Sequence, residues 1–304
     1  RNAARSNQGS DCYQWLIYNV SILITFNQNI IMKKLLFLSF IIPSILLGQT
    51  SINNTHMPSS GDTLRYSIAV LDTTLLSNYQ LAGPNQTWNF DSLEALRQGV
   101  YEYYSSSQTP YRFFVPNRLG QKIADTLSLG PVELLNLYDF YQNNASGFKT
   151  THRGFTIGAL PFPISQSFQD EDEVYQFPLD YQDRDSSTFQ FQFNNALAGA
   201  YIENKGYRIN EVDAWGTMNT PYGTYNCIRV VTDIVATDTL SFNGINVGLS
   251  SHRREYKWLT SQLKIPALKI SGAVIAGIFI PATIEYRDSV RNVPSLFARV
   301  SYTH

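Results

Sequence analysis

Thr188-Phe189-Gln190-Phe191-Gln192-Phe193-Asn194 alternates apolar and polar side chains without a break. Successive side chains of a strand point to opposite faces, so this heptad sets three phenylalanines on one face and Thr, Gln and Asn on the other. It reads as a half-buried β-strand. The same texture continues outward, and further strands are expected over residues 99–104, 111–115, 134–141, 148–155, 201–209, 215–219, 225–235, 254–259 and 267–270. Turn-forming clusters separate several of them, at Asn143-Asn144-Ala145-Ser146-Gly147, Asn204-Lys205-Gly206 and Thr220-Pro221-Tyr222-Gly223. The second cluster lies inside 201–209 and predicts a hairpin there. Helical periodicity with caps is not sustained anywhere, although residues 91–97 read as one or two helical turns. Nineteen tyrosines and 18 phenylalanines, with only 15% charged residues, suit pleated and half-buried surfaces. The expected fold is all-β: a mainly antiparallel curled sheet forming an open barrel, half-barrel or sandwich, with Phe189, Phe191, Phe193, Trp215 and Trp258 in its core.

Upstream of this region, Met32-Lys33-Lys34 precedes the apolar run 35–47 and then Gly48-Gln49-Thr50, the layout of a secretory signal peptide. The 13-residue run is shorter than the roughly 20 residues that span a bilayer, and Pro43 interrupts it. Residues 1–31 are read as upstream translation, 32–48 as the signal peptide and 49–304 as the all-β region, in one domain or in two subdomains meeting near 105–165. A membrane hairpin using a second apolar stretch, 15–31, is the alternative, and Asn27, Gln28 and Asn29 break that stretch. The product is expected in the periplasm, on the cell surface or outside the cell, with no stable transmembrane anchor. Cleavage takes away four of the 23 basic residues (Arg1, Arg5, Lys33, Lys34) and one of the 24 acidic ones (Asp11), leaving a net charge of −4. No nucleic-acid partner is expected at that balance. Cys12 leaves with the leader, so Cys227 has no internal disulfide partner and reads as a small buried hydrophobe in a strand.

Motifs that carry chemistry are weak throughout. His56, His152, His252 and His304 share no short window, so zinc-type spacing is missing. Ser261-Gln262-Leu263-Lys264 matches S-x-x-K in form but lacks the companion S-D-N and K-T-G elements, and no G-x-S-x-G elbow occurs. The densest acidic stretch, Asp170-Glu171-Asp172-Glu173 with Asp180, Asp183 and Asp185, lacks the glycine and terminal Glu of a calcium loop and reads as a solvated loop. No catalytic, cofactor-binding or metal-ligating residue, and no cofactor, is nominated. The apolar segment 272–284, with Val274, Ile275, Ile278, Phe279 and Ile280, reads as a buried strand pair or bent strand, the alternative being an exposed hydrophobic surface.

Several stretches resemble a family. They are Met57-Pro58-Ser59-Ser60-Gly61-Asp62-Thr63-Leu64-Arg65-Tyr66-Ser67, Gly83-Pro84-Asn85-Gln86-Thr87-Trp88-Asn89-Phe90, and Tyr175-Gln176-Phe177-Pro178-Leu179-Asp180-Tyr181. Stronger still is Asn210-Glu211-Val212-Asp213-Ala214-Trp215-Gly216-Thr217, running on to Arg229-Val230, with Glu255-Tyr256-Lys257-Trp258-Leu259 and Ile265-Pro266-Ala267-Leu268 behind it. Together they resemble uncharacterised secreted and envelope proteins of the Bacteroidota, many of which carry a C-terminal type IX secretion sorting domain. No such domain is visible in the 16 residues after Asp288, which leaves a periplasmic location and a truncated C-terminus both open. The second half is also similar to the curled half-barrels of periplasmic lipoprotein carriers, at the level of fold only. Six segments resemble the O-glycosylation sequon of exported Bacteroidota proteins: Asp62-Thr63-Leu64, Asp72-Thr73-Thr74, Asp91-Ser92-Leu93, Asp125-Thr126-Leu127, Asp238-Thr239-Leu240 and Asp288-Ser289-Val290. Asp-Ser and Asp-Thr pairs also start turns, so that pattern carries two meanings.

The functional expectation is an exported cell-envelope protein, read first as a non-enzymatic binding or structural module whose partner is an envelope protein, a glycan or an apolar ligand. The alternative is a periplasmic carrier enclosing a lipid or other apolar ligand, with 272–284 lining its cavity. A hydrolase is the third class.

Overall fold

Strand propensity and alternation are realised as β1 (Thr63–Ala69), β2 (Gly83–Asn89), β3 (Ala95–Ser105), β4 (Leu119–Leu129), β5 (Val132–Asn144), β6 (Gly147–Ile157), β7 (Ile164–Gln176), β8 (Arg184–Asn195), β9 (Ala200–Thr220), β10 (Gly223–Phe242), β11 (Ile245–Leu259), β12 (Leu268–Ile275) and β13 (Ile278–Arg287). In this computed structural model the chain falls into two compact units, Arg1–Gly48 and Gln49–His304. The described residues are 50–291, apart from 71–76, 130–131, 158–161, 197–198 and 243.

From β3 to β13 each strand pairs antiparallel with the next, and β1 bridges the ends by pairing with both β3 and β13. The sheet therefore closes on itself as a 12-stranded antiparallel barrel, and β2 adds a thirteenth strand, parallel to the second half of β9. Closure leaves β1 and β13 no free edge in the barrel. Two seams are thin. Backbone register between β3 and β4 covers only Tyr103–Gln121 to Ser105–Leu119, and between β7 and β8 only Asp170–Gln190.

Side chains sort by strand parity. One inward cluster gathers Phe155, Phe168, Phe191 and Phe193 with Leu137 and Ile202. Further along the same strands a second collects Phe148, Val212, Val230 and Leu259 around Ile52 and Met57. Ile52 is tied there by paired backbone hydrogen bonds with Leu179, at 3.1 and 2.8 Å. A third apolar core lies on the outside. There Trp88, Phe90 and Leu93 pack over the outward residues Trp258, Ile270 and Ile284, with Trp88 edge-on to Trp258 at 5.8 Å between centroids. On β8 to β11 the outward positions mix polar residues, Gln190, Gln192, Lys205, Asp233, His252 and Arg254, with apolar ones, Tyr207, Ile209, Val231 and Val235. No helix among the described residues is long and apolar enough to cross a membrane.

Four local expectations are corrected. Residues 111–115 form a turn, not a strand: Val115 N–H bonds Tyr111 O, and Tyr111 lies over Gly154 on the outer face of β5 and β6, its hydroxyl donating to Asn136 O. Residues 91–97 make a turn and the start of β3 instead of helix, because Arg97 and Ala95 pair with Ile68 and Ala69. Asn204-Lys205-Gly206 makes no hairpin, since β9 runs through it unbroken. A Cβ on Gly206 would sit 2.1 Å from Val235 O, so glycine serves the close approach of β10 there and not a turn. Trp215 is half-buried against the second inward cluster, whereas Phe189, Phe191, Phe193 and Trp258 are buried as expected.

Candidate functional site

Between the two inward apolar clusters the barrel holds an open cavity of about 540 Å³ whose wall is mainly polar, with Phe189, Ile234 and Ala236 among its apolar members. Parity builds it. On β11, Arg253, Glu255 and Lys257 face the lumen while Arg254, Tyr256 and Trp258 face out. The next strands place Lys269 beside Lys257 and Glu285 beside Lys269, so one row across β11, β12 and β13 reads Lys-Lys-Glu. Opposite stand Asp139 and Arg153, themselves register partners on β5 and β6, and Asp172 and Arg208 on β7 and β9.

The charges are largely committed to one another. Arg153 grips Asp139 through Nε and Nη2 at 2.7 and 3.0 Å, and Arg208 grips Asp172 at 2.9 and 2.7 Å. Lys269 Nζ lies 3.1 Å from Glu285 Oε1 and 3.2 Å from the Tyr101 hydroxyl, which donates to the same carboxylate at 2.7 Å. Glu255 is shared: Arg253 Nε stands 3.3 Å from one oxygen and Lys257 Nζ 3.4 Å from the other. The Lys257 ammonium also sits 4.8 Å from the centroid of the Tyr175 ring, a cation–π distance.

Burial and these neighbours set the ionisation. Burial alone would raise the Glu255 carboxyl, but Lys257, Arg253, Lys269 and Arg208 outweigh it and hold the group at about 2. Lys257 moves the other way: burial pushes its ammonium down to about 8, Arg208 and Lys269 add to that, and Glu255 opposes it. Burial lifts the hydroxyls of Tyr101, Tyr103 and Tyr175 well above the usual phenol range, so they stay hydrogen-bonding groups and not charges. Chemically the wall offers ammonium, guanidinium, carboxylate and phenol groups to a polar guest. Among the described cavity-facing residues these groups form ion pairs with one another and not a nucleophile–base–orienter set.

The residues singled out by sequence lie elsewhere. His56 reaches the cavity edge, its Nδ1 accepting from Asn53 N–H at 3.1 Å. His152 is half-buried beside Thr151, and His252 faces outward on β11, 2.9 Å from Asp233. They do not converge, and no group of His, Cys, Asp and Glu that could hold a metal occurs among the described residues. His304 lies outside the described residues. Cys227 is buried in β10, and burial pushes its thiol up. Ser261 and Lys264 sit in the turn after β11, where Lys264 binds Asp62 and Ser59. The acidic stretch 170–173 is part of β7 and not a loop: Asp172 faces the lumen, while Glu173 pairs on the outer face with Lys149, its register partner on β6.

Residues 272–284 do form a strand pair, yet its tip is exposed, Ile278 by 68% and Ile275 by 59%, and the segment contributes no lining residue to the cavity. Of the aspartate sequons, Thr63, Ser92, Thr126 and Ser289 are exposed and Thr239 is half-buried in β10, whereas 72–74 lie outside the described residues. A broader groove of about 730 Å³ runs along the outside of the β7–β8 seam past Lys149, Glu173 and Thr188.

Sequence reasoning missed the lumen charges. The one signal for them was the alternation in Glu255-Tyr256-Lys257-Trp258-Leu259, which places two opposite charges on one face of a strand that is otherwise aromatic and aliphatic. Comparison of the chain with protein-family models, with curated proteins and with solved structures gives no match.

Proposed function

We propose that the chain is an exported, non-enzymatic cell-envelope protein that binds a polar small molecule, a glycan fragment included, inside its barrel. The observation that carries this reading is the lumen of about 540 Å³, lined by ion-paired and tyrosine side chains between two apolar clusters. Its size falls in the range of small-molecule sites. Buried ion pairs rarely improve on apolar packing of the same volume, so a charged interior fits a ligand better than it fits stability. The carrier reading asks for an apolar wall built from 272–284, which those residues do not supply. Export rests on the Met32–Gly48 pattern.

Native mass spectrometry of protein purified from its own host tests both parts at once. The expected spectrum shows a chain starting near Gln49 with a small polar molecule retained. A chain that keeps residues 1–31 overturns export. A retained lipid, or an empty barrel that takes up nothing from a fractionated envelope extract, overturns the polar-ligand reading.

A further inference from the structure

We propose that the ligand carries an oxyanion, a carboxylate or a phosphate, which docks in the lumen between Lys257 and Lys269. This deepens the binding reading and rests on it. The first observation is register. Lys257 and Lys269 stand directly opposite each other on β11 and β12, both facing the cavity and both largely buried. Like charges at such a cross-strand pair repel. A barrel wall keeps two ammonium groups side by side at a cost unless something negative lies between them.

The second observation is the local pairing of charge. Arg208, Arg253, Lys257 and Lys269 surround Glu255, and four carboxylates stand about them: Asp172, Glu255 and Glu285, which form ion pairs, and Asp185, which bonds Asn210 and acts on Lys257 and Arg208 only at a distance. Asp172 is taken up by Nε and Nη2 of Arg208, and Glu285 by Lys269 and Tyr101. Lys257 is left with the poorest partner, a carboxylate at 3.4 Å whose other oxygen serves Arg253. An ammonium has three donors to satisfy. The depressed basicity of Lys257 agrees with this shortfall. An oxyanion entering the cavity supplies the acceptors that the Lys257 ammonium lacks, and the Tyr103 hydroxyl on the same wall can donate to it.

The test is isothermal titration calorimetry of the purified chain with sodium phosphate and, separately, sodium acetate, each against sodium chloride at matched ionic strength. One saturable site for an oxyanion is expected, absent with chloride, and the stronger of the two arms tells phosphate from carboxylate. Lys257→Met should weaken that binding by about tenfold or more, whereas Lys205→Met on the outer face leaves it unchanged. Glu255→Gln removes the competing carboxylate and should tighten binding, which a merely structural role for Lys257 does not predict. Absence of oxyanion binding in the wild type, or wild-type affinity in Lys257→Met, overturns the proposal. Should Lys257→Met fail to fold, Glu255→Gln decides: tighter binding upholds the proposal, unchanged or weaker binding overturns it. A neutral polar molecule retained from the host, together with no oxyanion binding, removes this inference and leaves the binding function standing.

Discussion

Arg208 on β9 holds Asp172 on β7 through two parallel hydrogen bonds, 2.9 and 2.7 Å long, across the line where β8 lies between them. The β7–β8 ladder is reduced to one register pair, so side chains stitch this wall from both faces. Asn210 donates to Val174 O from within, and Thr188 donates to Asp170 outside. Arg208→Met strands a buried carboxylate and is expected to cost about 3–5 kcal/mol. The double variant Arg208→Met/Asp172→Leu should recover most of that loss, because two apolar side chains leave no unpaired charge. Urea unfolding of the three proteins measures this. A single variant within 1 kcal/mol of wild type would show that the pair does not close the seam.

Glu255 makes the barrel sensitive to acid. Its folded value of about 2 lies below its ordinary 4.5, so the folded protein resists protonating it more than the unfolded chain does. Its contribution is therefore complete above about pH 4.5 and is lost as pH falls toward 2. The gap corresponds to about 3 kcal/mol. Urea midpoints at pH 6, 4 and 3 should fall more steeply for wild type than for Glu255→Gln, which has no proton to take up there. Parallel pH profiles of the two proteins would refute the assignment.

Alternation on Phe189, Phe191 and Phe193 made the strand and its buried face legible, and the turns at Asn143–Gly147 and Thr220–Gly223 were legible because Asn, Gly and Pro limit the backbone locally. Closure was not, since pairing of β1 with β13 joins Tyr66 to Arg287 across more than 200 residues and leaves no local mark. Residues 111–115 misled because Tyr111, Phe113, Phe114 and Val115 have strand-like side chains, and only the fold determines that they cap a wall from outside. The site was hidden for a related reason. Asp139, Arg153, Asp172, Arg208, Glu255, Lys257, Lys269 and Glu285 are scattered over seven strands, and a charged residue in an alternating strand ordinarily reads as facing water. Here the barrel has polar side chains on both faces.

Gly216 fixes the extra strand. β2 lies parallel to β9 with Gln86 beside Gly216, and a Cβ there would sit 2.0 Å from Gln86 O. Backbone cannot yield as a flexible side chain can, so Gly216→Ala should push β2 outward and loosen Trp88 and Phe90 from Trp258. A loss of about 1–3 kcal/mol is expected. Because Trp88 and Trp258 are both fully buried, a red shift of tryptophan emission in the folded state should accompany it. Wild-type emission and stability together would show that β2 tolerates the displacement.

The alternating strand that identified the fold also permits a paired test of its parity. Phe191 is buried among Phe155, Phe168 and Phe193, and the guanidinium of Arg153 lies 5.3 Å from its ring. Gln192, one residue on, points to the opposite face and is only half-buried. Phe191→Ala removes a full aromatic volume from a packed cluster and withdraws the surface on which Arg153 rests, so it should cost about 3–5 kcal/mol. Gln192→Ala leaves the ladder intact, including the bond from Gln169 to its carbonyl, and should stay within about 0.5 kcal/mol of wild type. A strand shifted by one residue reverses this order, because every side chain then changes face. Equilibrium urea unfolding of both variants therefore tests the register of β8: a larger loss for Gln192→Ala than for Phe191→Ala would place the phenylalanines on the outer face and remove the apolar cluster from that part of the lumen.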